Sequence, residues 1–549
     1  MELHTFFNNF EVMAEAPNGI EELRNLILEL AVKGELSERL PTDTPVENIQ
    51  NQLVKAKKNW NLASKDTPFD IPNSWSWVVL GQLGSTQTGS TPKKSHPEYY
   101  GSFCPFVKPA DILDGRVTYR TEGLSKEGLE STGRVIDKGA IVMVCIGTIG
   151  KVGVVDRLCS FNQQINAISP IQGIDSQWLC YTLASKYFQQ IAWSRSSSTT
   201  ISILNKGKWE AIPIPIVPLE EQKRIVAKVD QLMALCDDLE EKKEKRNKYR
   251  VRANEASLDK LLNAKEPEEF EEHWQRVVEN FEQLLSEPRA VARATSSFLE
   301  LGIMGKLVAQ CQTDESASEV LQRITAEKKK LVEQGRIRKF KTVSSLSGEE
   351  KRFSLPRGWE WCRLQQLVYL LGDGLHGTPR YSEDGDFFFV NGNNLKDGRI
   401  EIKPETKKVS QEEFEKYKKD LGQTTVLVSI NGTLGRVGFY NGEPIVLGKS
   451  ACYFNLAPTL SKEYFKLIIE APSFLEYANQ KATGSTIKNL GLRAMNEMPV
   501  ALPPIEEQER IVTRVNELRS LCSALEKRFL NAETCQQYYA RSITESHVC

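Results

Sequence analysis

Pro218-Leu219-Glu220-Glu221-Gln222-Lys223-Arg224-Ile225-Val226 is met again 286 residues on, as Pro504-Ile505-Glu506-Glu507-Gln508-Glu509-Arg510-Ile511-Val512. Ile71-Pro72-Asn73-Ser74-Trp75-Ser76-Trp77 returns after 284 residues as Leu355-Pro356-Arg357-Gly358-Trp359-Glu360-Trp361. Gly147-Thr148-Ile149-Gly150-Lys151-Val152-Gly153 returns after 285 as Gly432-Thr433-Leu434-Gly435-Arg436-Val437-Gly438. Upstream, Asn9-Phe10-Glu11 and Pro17 match Asn280-Phe281-Glu282 and Pro288 at a shift of 271. The same shift carries Leu28-Glu29-Leu30 onto Leu299-Glu300-Leu301, and Lys57-Lys58 onto Lys328-Lys329. One linker absorbs the difference, with 13 steps from Lys58 to Ile71 against 26 from Lys329 to Leu355. Collinear matches at a period of half the chain mark a duplicated domain pair, because solenoid repeats are far shorter.

Each copy reads as three pieces. A helical lead with apolar residues at helical spacing (Leu23, Leu26, Ile27, Leu30 in copy one) precedes a polar linker. Next come β-branched runs such as Ala140–Ile146 and Thr425–Ile430, broken by glycine-bearing turns, which predict a mainly β globule. A long helix then starts just after Pro218 or Pro504, with two glutamates in its first turn to suit the macrodipole. The expected fold class is α+β. Its boundaries are an N-terminal helical region over 1–70, mainly β domains over 71–217 and 355–503, a central helical region over 218–354, and a C-terminal helix over 504–549.

The long helices carry a seam. Ile511, Val515, Leu518, Cys522, Leu525 and Phe529 step by alternating fours and threes, as do Ile225, Val229, Leu232, Cys236 and Leu239. That is coiled-coil spacing. Its occurrence at matching positions favours two helices packed on each other over a stripe facing a globular core. A helix of about 40 residues spans roughly 60 Å, enough to hold two globules apart.

Composition bounds the function. The 549 residues hold 71 Lys+Arg against 72 Asp+Glu, which excludes a histone-like polycation and an acidic solvating tail. With 40 % hydrophobic and 26 % charged residues, global disorder is excluded as well. The longest apolar run, Ala140–Ile146, has strand length, and the N-terminus lacks the basic and apolar regions of a signal peptide. We therefore expect a soluble, intracellular protein. The 11 cysteines contain no CxxC pair and the five histidines lie far apart, so no metal is expected.

Catalytic motifs fail on inspection. Gly372-Asp373-Gly374-Leu375-His376-Gly377 fits GxGxxG, but Thr378-Pro379 places a proline where the helix should extend. Gly448-Lys449-Ser450 resembles the end of a P-loop, yet Gly442 stands one residue too far upstream. Amino-methyltransferase, helicase, nucleophile-elbow and nuclease signatures are absent from the sequence, so the chain is expected to catalyse nothing by itself. Charge is local: Pro72–Ile216 holds 14 Lys+Arg against 10 Asp+Glu, and Pro356–Leu502 holds 18 against 17. A mild surplus in polar loops suits a protein that meets some phosphates but relies on specific contacts.

The Pro-x-x-Trp opening, the Gly89-Ser90-Thr91-Pro92 turn, the Gly147–Gly153 loop and the Ile212-Pro213-Ile214-Pro215 to Ile225 ending, duplicated around long helices, resemble the specificity (S) subunit of type I restriction-modification enzymes. The resemblance spans about residues 9 to 545. It implies two target-recognition domains, each reading half of a split site on double-stranded DNA. They are separated by two long-helix, antiparallel coiled-coil regions that fix the gap and dock two modification (M) subunits. S-adenosylmethionine would belong to the M subunits, cleavage to further restriction (R) subunits, the location to the cytoplasm, and no cofactor to this chain.

Divergence between the copies fits that role. Lys108-Pro109-Ala110-Asp111 lies opposite Asn391-Gly392-Asn393-Asn394, and Asn162-Gln163-Gln164 near Leu447-Gly448-Lys449. Asn and Gln pair with adenine, and Arg or Lys with guanine, so two different half-sites are expected. Candidate DNA contacts in copy one are Thr88, Ser90, Thr91, Lys93, Lys94, Lys108, Thr148, Lys151, Gln163, Gln164, Ser197, Ser198, Thr199 and Lys206. In copy two they are His376, Thr378, Arg380, Tyr381, Asn393, Asn394, Asn431, Thr433, Arg436, Lys449, Ser485, Thr486 and Lys488. The glycines of the Gly147–Gly153 loop are expected to serve the turn, and Trp75 and Trp359 to anchor the core. The competing reading is a coiled-coil scaffold whose β domains bind protein or glycan; a third is a self-sufficient methyltransferase or nuclease.

Overall fold

A computed structural model describes residues 10–37, 39–53, 67–197, 201–339, 343–484 and 486–545, with the side chains of 539–545 excepted. The contacts of the chain divide into two units, Met1–Asn247 with Ala532–Cys549, and Lys248–Asn531.

In the first unit Ser76–Val79 pairs antiparallel with Pro213–Ile216, Trp77 opposite Pro215 and Val79 opposite Pro213. Antiparallel pairs alternate between bonded and non-bonded. Leu80 N–H donates to the Ile212 carbonyl at 2.9 Å, so both prolines fall at non-bonded positions. Lacking N–H groups on the outer side, the closing strand accepts no further strand there. The two-stranded ladder thereby staples the start of the β-rich segment to its end. The second unit repeats the device with Glu360–Arg363 against Pro499–Leu502, Cys362 opposite Val500.

Between the stapled ends, copy one builds a six-stranded sheet in the order Gly84–Thr88, Ile165–Pro170, Ile141–Val144, Val152–Val154, Gly115–Val117, Ile112–Leu113. Copy two keeps the first four positions as Val368–Asp373, Ala451–Leu456, Thr425–Ser429 and Val437–Phe439. Beside that sheet stands a three-stranded one of Lys408–Val409, Phe387–Val390 and Ile445–Leu447. The central runs Ile141–Val144 and Thr425–Ser429 are buried at every residue, because both faces of the sheet are covered. Ile141 and Met143 share a core with Leu179, Leu183 and Phe188 from the helices Ser176–Ala184 and Lys186–Arg195. Val142 and Val144 face Phe161 and Ile165 on the other side. In the loop that follows each central strand, Gly147 (φ 83°), Gly150 (φ 107°), Gly432 (φ 77°) and Gly435 (φ 84°) hold left-handed backbone that a Cβ would strain.

The lead helices are Gly19–Lys33 and Pro288–Ile303. From each, one glutamate, buried in copy one and half-buried in copy two, caps a helix of the β-rich segment: Tyr187 N–H donates to Glu29 Oε1 at 2.6 Å, and Ser473 N–H to Glu300 Oε2 at 3.2 Å. These glutamates occupy matching positions of the repeat, 271 residues apart.

The long helices run over Leu219–Asn263 and Ile505–Glu545. The repeated motif at their start consists of ties. Trp75 Nε1–H donates to the buried Glu221 at 3.1 Å, and Ser37 Oγ–H to the same carboxylate at 3.0 Å. In copy two Gln310 donates to Glu507 at 3.2 Å. Asp175 N–H donates to Gln222 Oε1 at 2.7 Å, and Ser461 N–H to Gln508 Oε1 at 3.1 Å. Arg224 pairs with Asp43 at 2.6 Å and Arg510 with Asp314 at 2.5 Å. Trp75 and Trp359 are buried beside these ties.

The seam has a partner that the heptad spacing does not name. Ile225, Val229, Leu232 and Cys236 lie in one core with Leu23, Leu26, Ile27 and Leu30 of the lead helix, and Leu239 packs at its margin. Arg24 of that helix reaches across to Asp237 and Glu240 at 2.5 and 2.8 Å. In copy two Val515 and Ile511 lie so near Gly302 of the lead helix that a Cβ there would stand 3.0 and 3.3 Å from their methyl groups. Leu518, Cys522 and Leu525 join Val291, Ala294, Phe298 and Leu301, with Phe529 at the margin. Over this stretch each seam is covered within its own copy, by the apolar face of the lead helix. The long helices share a core cluster where Leu258 and Leu261 join Leu518, Cys522 and Leu525.

Burial pushes the thiols of Cys145, Cys159, Cys180 and Cys452 up to about 12, so they act as small core side chains.

Candidate nucleic-acid interface

Hydrogen bonds align the loops of the two copies residue by residue. Asn162 N–H donates to the Val107 carbonyl at 3.0 Å, as Gly448 N–H does to Val390 at 2.8 Å. The next residues, Lys108 and Asn391, open equivalent turns. Each turn is closed by its fourth residue, with Lys108 N–H donating to Asp111 at 2.9 Å and Asn391 N–H to Asn394 at 3.0 Å. Ser90 N–H donates to Phe161 O at 3.0 Å, matching Leu375 N–H to Leu447 O at 2.7 Å. Gly147 N–H donates to Ser202 O at 3.0 Å, matching Gly432 N–H to Lys488 O at 2.9 Å.

One end of each sheet therefore carries the same set of loops. They are the turn 108–111 or 391–394, the glycine loop 146–151 or 431–436, a flanking loop around Ile203 or Asn489, and the residues before the strand Ile165–Pro170 or Ala451–Leu456.

In copy two these loops enclose a polar cleft of about 320 Å³ lined by Asn391, Gly392, Asn393, Asn431, Thr433, Arg436 and Ser450. Four of the candidates meet here: Asn393, Asn431, Thr433 and Arg436. Their side chains bond to no other described residue, and no carboxylate lines the cleft. Buried Ser429 sets the loop, its Oγ–H donating to the Thr433 carbonyl at 2.7 Å and accepting from Arg436 N–H at 2.8 Å. Two residues missing from the sequence-derived set also line the cleft, Asn391 and Ser450. Ser450 Oγ–H donates to Asn391 Oδ1 at 2.9 Å and accepts from Gly392 N–H at 2.8 Å. Asn391 opens the polar run 391–394, which was the available signal; nothing local marks Ser450.

The equivalent positions of copy one carry Lys108, Thr148, Lys151 and Gln164 in place of Asn391, Thr433, Arg436 and Ser450. Thr148 and Lys151 are exposed, and Lys108 extends over the Phe106 ring at 5.7 Å. The same face thus presents different chemistry in the two copies.

Other candidates stand apart or are occupied. Asn394 is buried, its Nδ2–H donating to Glu401 O at 2.9 Å, so it shapes the turn. Thr88 donates to Asn166 at 2.8 Å within the sheet, and Lys206 pairs with Glu210 at 3.3 Å. Thr91 bonds Gln163, and Lys488 bonds Asn479. His376 bonds Asp373 at 2.6 Å in the loop beside exposed Lys449, since Lys449 N–H donates to Leu375 O at 3.0 Å. Tyr381 bridges to Val409 at the edge of the three-stranded sheet, next to Arg380, whose N–H donates to Glu413 at 2.9 Å. Lys93, Lys94, Thr378 and Thr486 are exposed loop residues, Ser90 is half-buried, and Ser197 bridges to Ile203. Ser198, Thr199 and Ser485 lie outside the described residues. No helix is long and apolar enough to cross a membrane among the described residues.

A family model described as "Type I restriction modification DNA specificity domain" matches twice, over residues 72–247 and 356–533. The chain is 25 % identical to the type I restriction enzyme EcoEI specificity subunit of Escherichia coli, across 96 % of this chain and 94 % of that one. It is 26 % identical to the EcoAI specificity subunit of the same organism over the same shares. Among solved structures, the HsdS subunit from Thermoanaerobacter tengcongensis aligns over 88 % of this chain and 98 % of that chain, with 17 % identity and a TM-score of 0.45.

Proposed function

Because the chain belongs to the type I restriction-modification DNA specificity family, we propose that residues 71–217 and 355–503 are two target-recognition domains, each reading one half of an asymmetric, bipartite site on double-stranded DNA. The chain is the non-catalytic specificity subunit of such a complex, acting with modification and restriction subunits. S-adenosylmethionine and methyl transfer fall to the modification subunits, and we place the complex in the cytoplasm. The helical regions 218–354 and 504–549 would set the gap and dock two modification subunits.

The observation that carries this reading is the loop face repeated at one end of each sheet: a common backbone frame with side chains that differ. Asn391, Asn393, Asn431 and Arg436 in one copy, and Lys108, Lys151 and Gln164 in the other, are the residue types that read base edges and phosphates. The frame positions the reader, and the divergent side chains specify. The scaffold reading does not account for two unlike polar faces on like frames.

The test is DNA binding by the chain assembled with its modification subunits, measured across salt. Site-specific binding that weakens about a thousandfold or more between 50 and 200 mM salt is expected if several phosphates are neutralised. Absence of DNA affinity in the assembled complex would refute the reading.

A further inference from the structure

We propose that Gln164 and Asn391 are base-reading residues held with the amide N–H₂ group outward, so that each recognises a hydrogen-bond acceptor on a base edge; Asn162 sets this polarity for Gln164, and Ser450 holds the Asn391 amide. The inference rests on the recognition reading above and assigns to it a chemistry.

In copy one the polarity is fixed by a chain of bonds anchored on the backbone. Gln164 N–H, which can only donate, meets Asn162 Oδ1 at 3.1 Å. The oxygen of the Asn162 amide is thereby assigned, and its nitrogen must donate. That nitrogen lies 3.0 Å from the Gln164 side chain, so the atom it meets there is Oε1. Gln164 Nε2 is left as the outward group, beside the Gly147 turn. Asn162 itself is buried, and the backbone that carries its amide is held in place, with the N–H donating to Val107 and the carbonyl accepting from Ile165.

Copy two holds its amide through a hydroxyl. Gly392 N–H donates to Ser450 Oγ at 2.8 Å, and the hydroxyl donates in turn to Asn391 Oδ1 at 2.9 Å. Asn391 Nδ2 has no partner among the described residues and lines the cleft with Arg436, itself a pure donor. Since Gln164 is the structural equivalent of Ser450, and Lys108 of Asn391, both devices sit at one junction of turn and strand. In copy one the strand side supplies the reader; in copy two the strand side supplies the holder.

Outward donors discriminate. In the major groove they suit guanine O6 and N7, adenine N7 or thymine O4, and they meet cytosine N4–H₂ as a like group. Asn162→Asp keeps the acceptor for Gln164 N–H but abolishes the donor, so the Gln164 amide turns over and presents Oε1. Gln164→Glu presents an acceptor directly, and Ser450→Ala releases Asn391.

The experiment is methylation by the complete complex, with its modification subunits, on a DNA library randomised at the half-sites and read by sequencing of methylated molecules. For N162D and Q164E we expect an altered preference at one base pair of one half-site, by about tenfold or more in favour of a donor-bearing edge, with the other half-site unchanged. For S450A we expect relaxed discrimination at one base pair of the opposite half-site. An unchanged base preference in N162D and Q164E overturns the inference, and so does uniform loss of methylation on every target in both. If the wild-type complex prefers no sequence in either half, the recognition reading itself fails.

Discussion

A carboxylate taken out of water into a protein interior resists ionisation, and each lead helix places one such group against the recognition segment of its own copy. Burial raises the Glu29 and Glu300 carboxyls above their ordinary range, against the opposing pull of the backbone N–H groups they accept from. A raised folded-state value means that the stabilisation is complete below the ordinary carboxyl value of about 4.5 and is lost as pH rises through the folded value. Glu29→Gln retains an acceptor for Tyr187 N–H and removes the charge. Its unfolding temperature relative to wild type should therefore climb as pH rises from below to well above the ordinary carboxyl value of about 4.5; a difference independent of pH would contradict this account. The repeat alignment located both glutamates, yet their role was not legible, because the N–H groups they cap lie more than a hundred residues away. The ties of Glu221, Gln222 and Arg224 were hidden for the same reason: a helix start rich in charge reads as a macrodipole effect until its partners Trp75, Asp175 and Asp43 are brought in by the fold. Asn394 shows the converse, since a polar loop residue cannot be told from a turn former by type alone.

At the scale of elements, periodicity identified the seam and could not identify its partner. The three–four spacing selects one face of a helix, and any apolar surface within reach satisfies it. Here the lead helix is within reach, tied to the long helix by Arg24 in copy one and by close approach at Gly302 in copy two. Leu232→Ala should destabilise the chain by about 2–5 kcal/mol in denaturant unfolding, because it opens a cavity between the long helix and its lead. Leu235→Ala, on the exposed face of the same helix, should cost no more than about 0.5 kcal/mol. Equal effects of the two substitutions would contradict the packing described. The β-rich segments were legible as mainly β from their buried β-branched runs and glycine turns. Strand order was not, since hairpins, crossovers and the two-stranded staple all use similar short apolar runs. The cleft was legible in part: Asn393, Asn431, Thr433 and Arg436 announce themselves as polar loop residues, whereas Ser450 enters it only through the pairing that brings Gly448 beside Val390 and Leu375.

At the scale of the whole molecule, duplication answers a specific demand. On the proposed reading, one chain presents two similar surfaces to two copies of a partner while reading two different stretches of DNA. A repeated frame supplies the first and divergent loops the second, and the near-neutral total charge of −1 leaves recognition to particular side chains over bulk attraction. The duplication was fully legible, because it rests on collinear sequence matches and requires no knowledge of contacts. The identity of the bases read was not, because which loop side chains converge depends on the fold. The most direct test of the central claim is a methylome of cells carrying this chain with its modification subunits, before and after residues 71–217 are exchanged for those of a relative. The account predicts a split, non-palindromic site of which one half changes and the other, with the gap, is retained. A palindromic site, or a change in both halves, would contradict it.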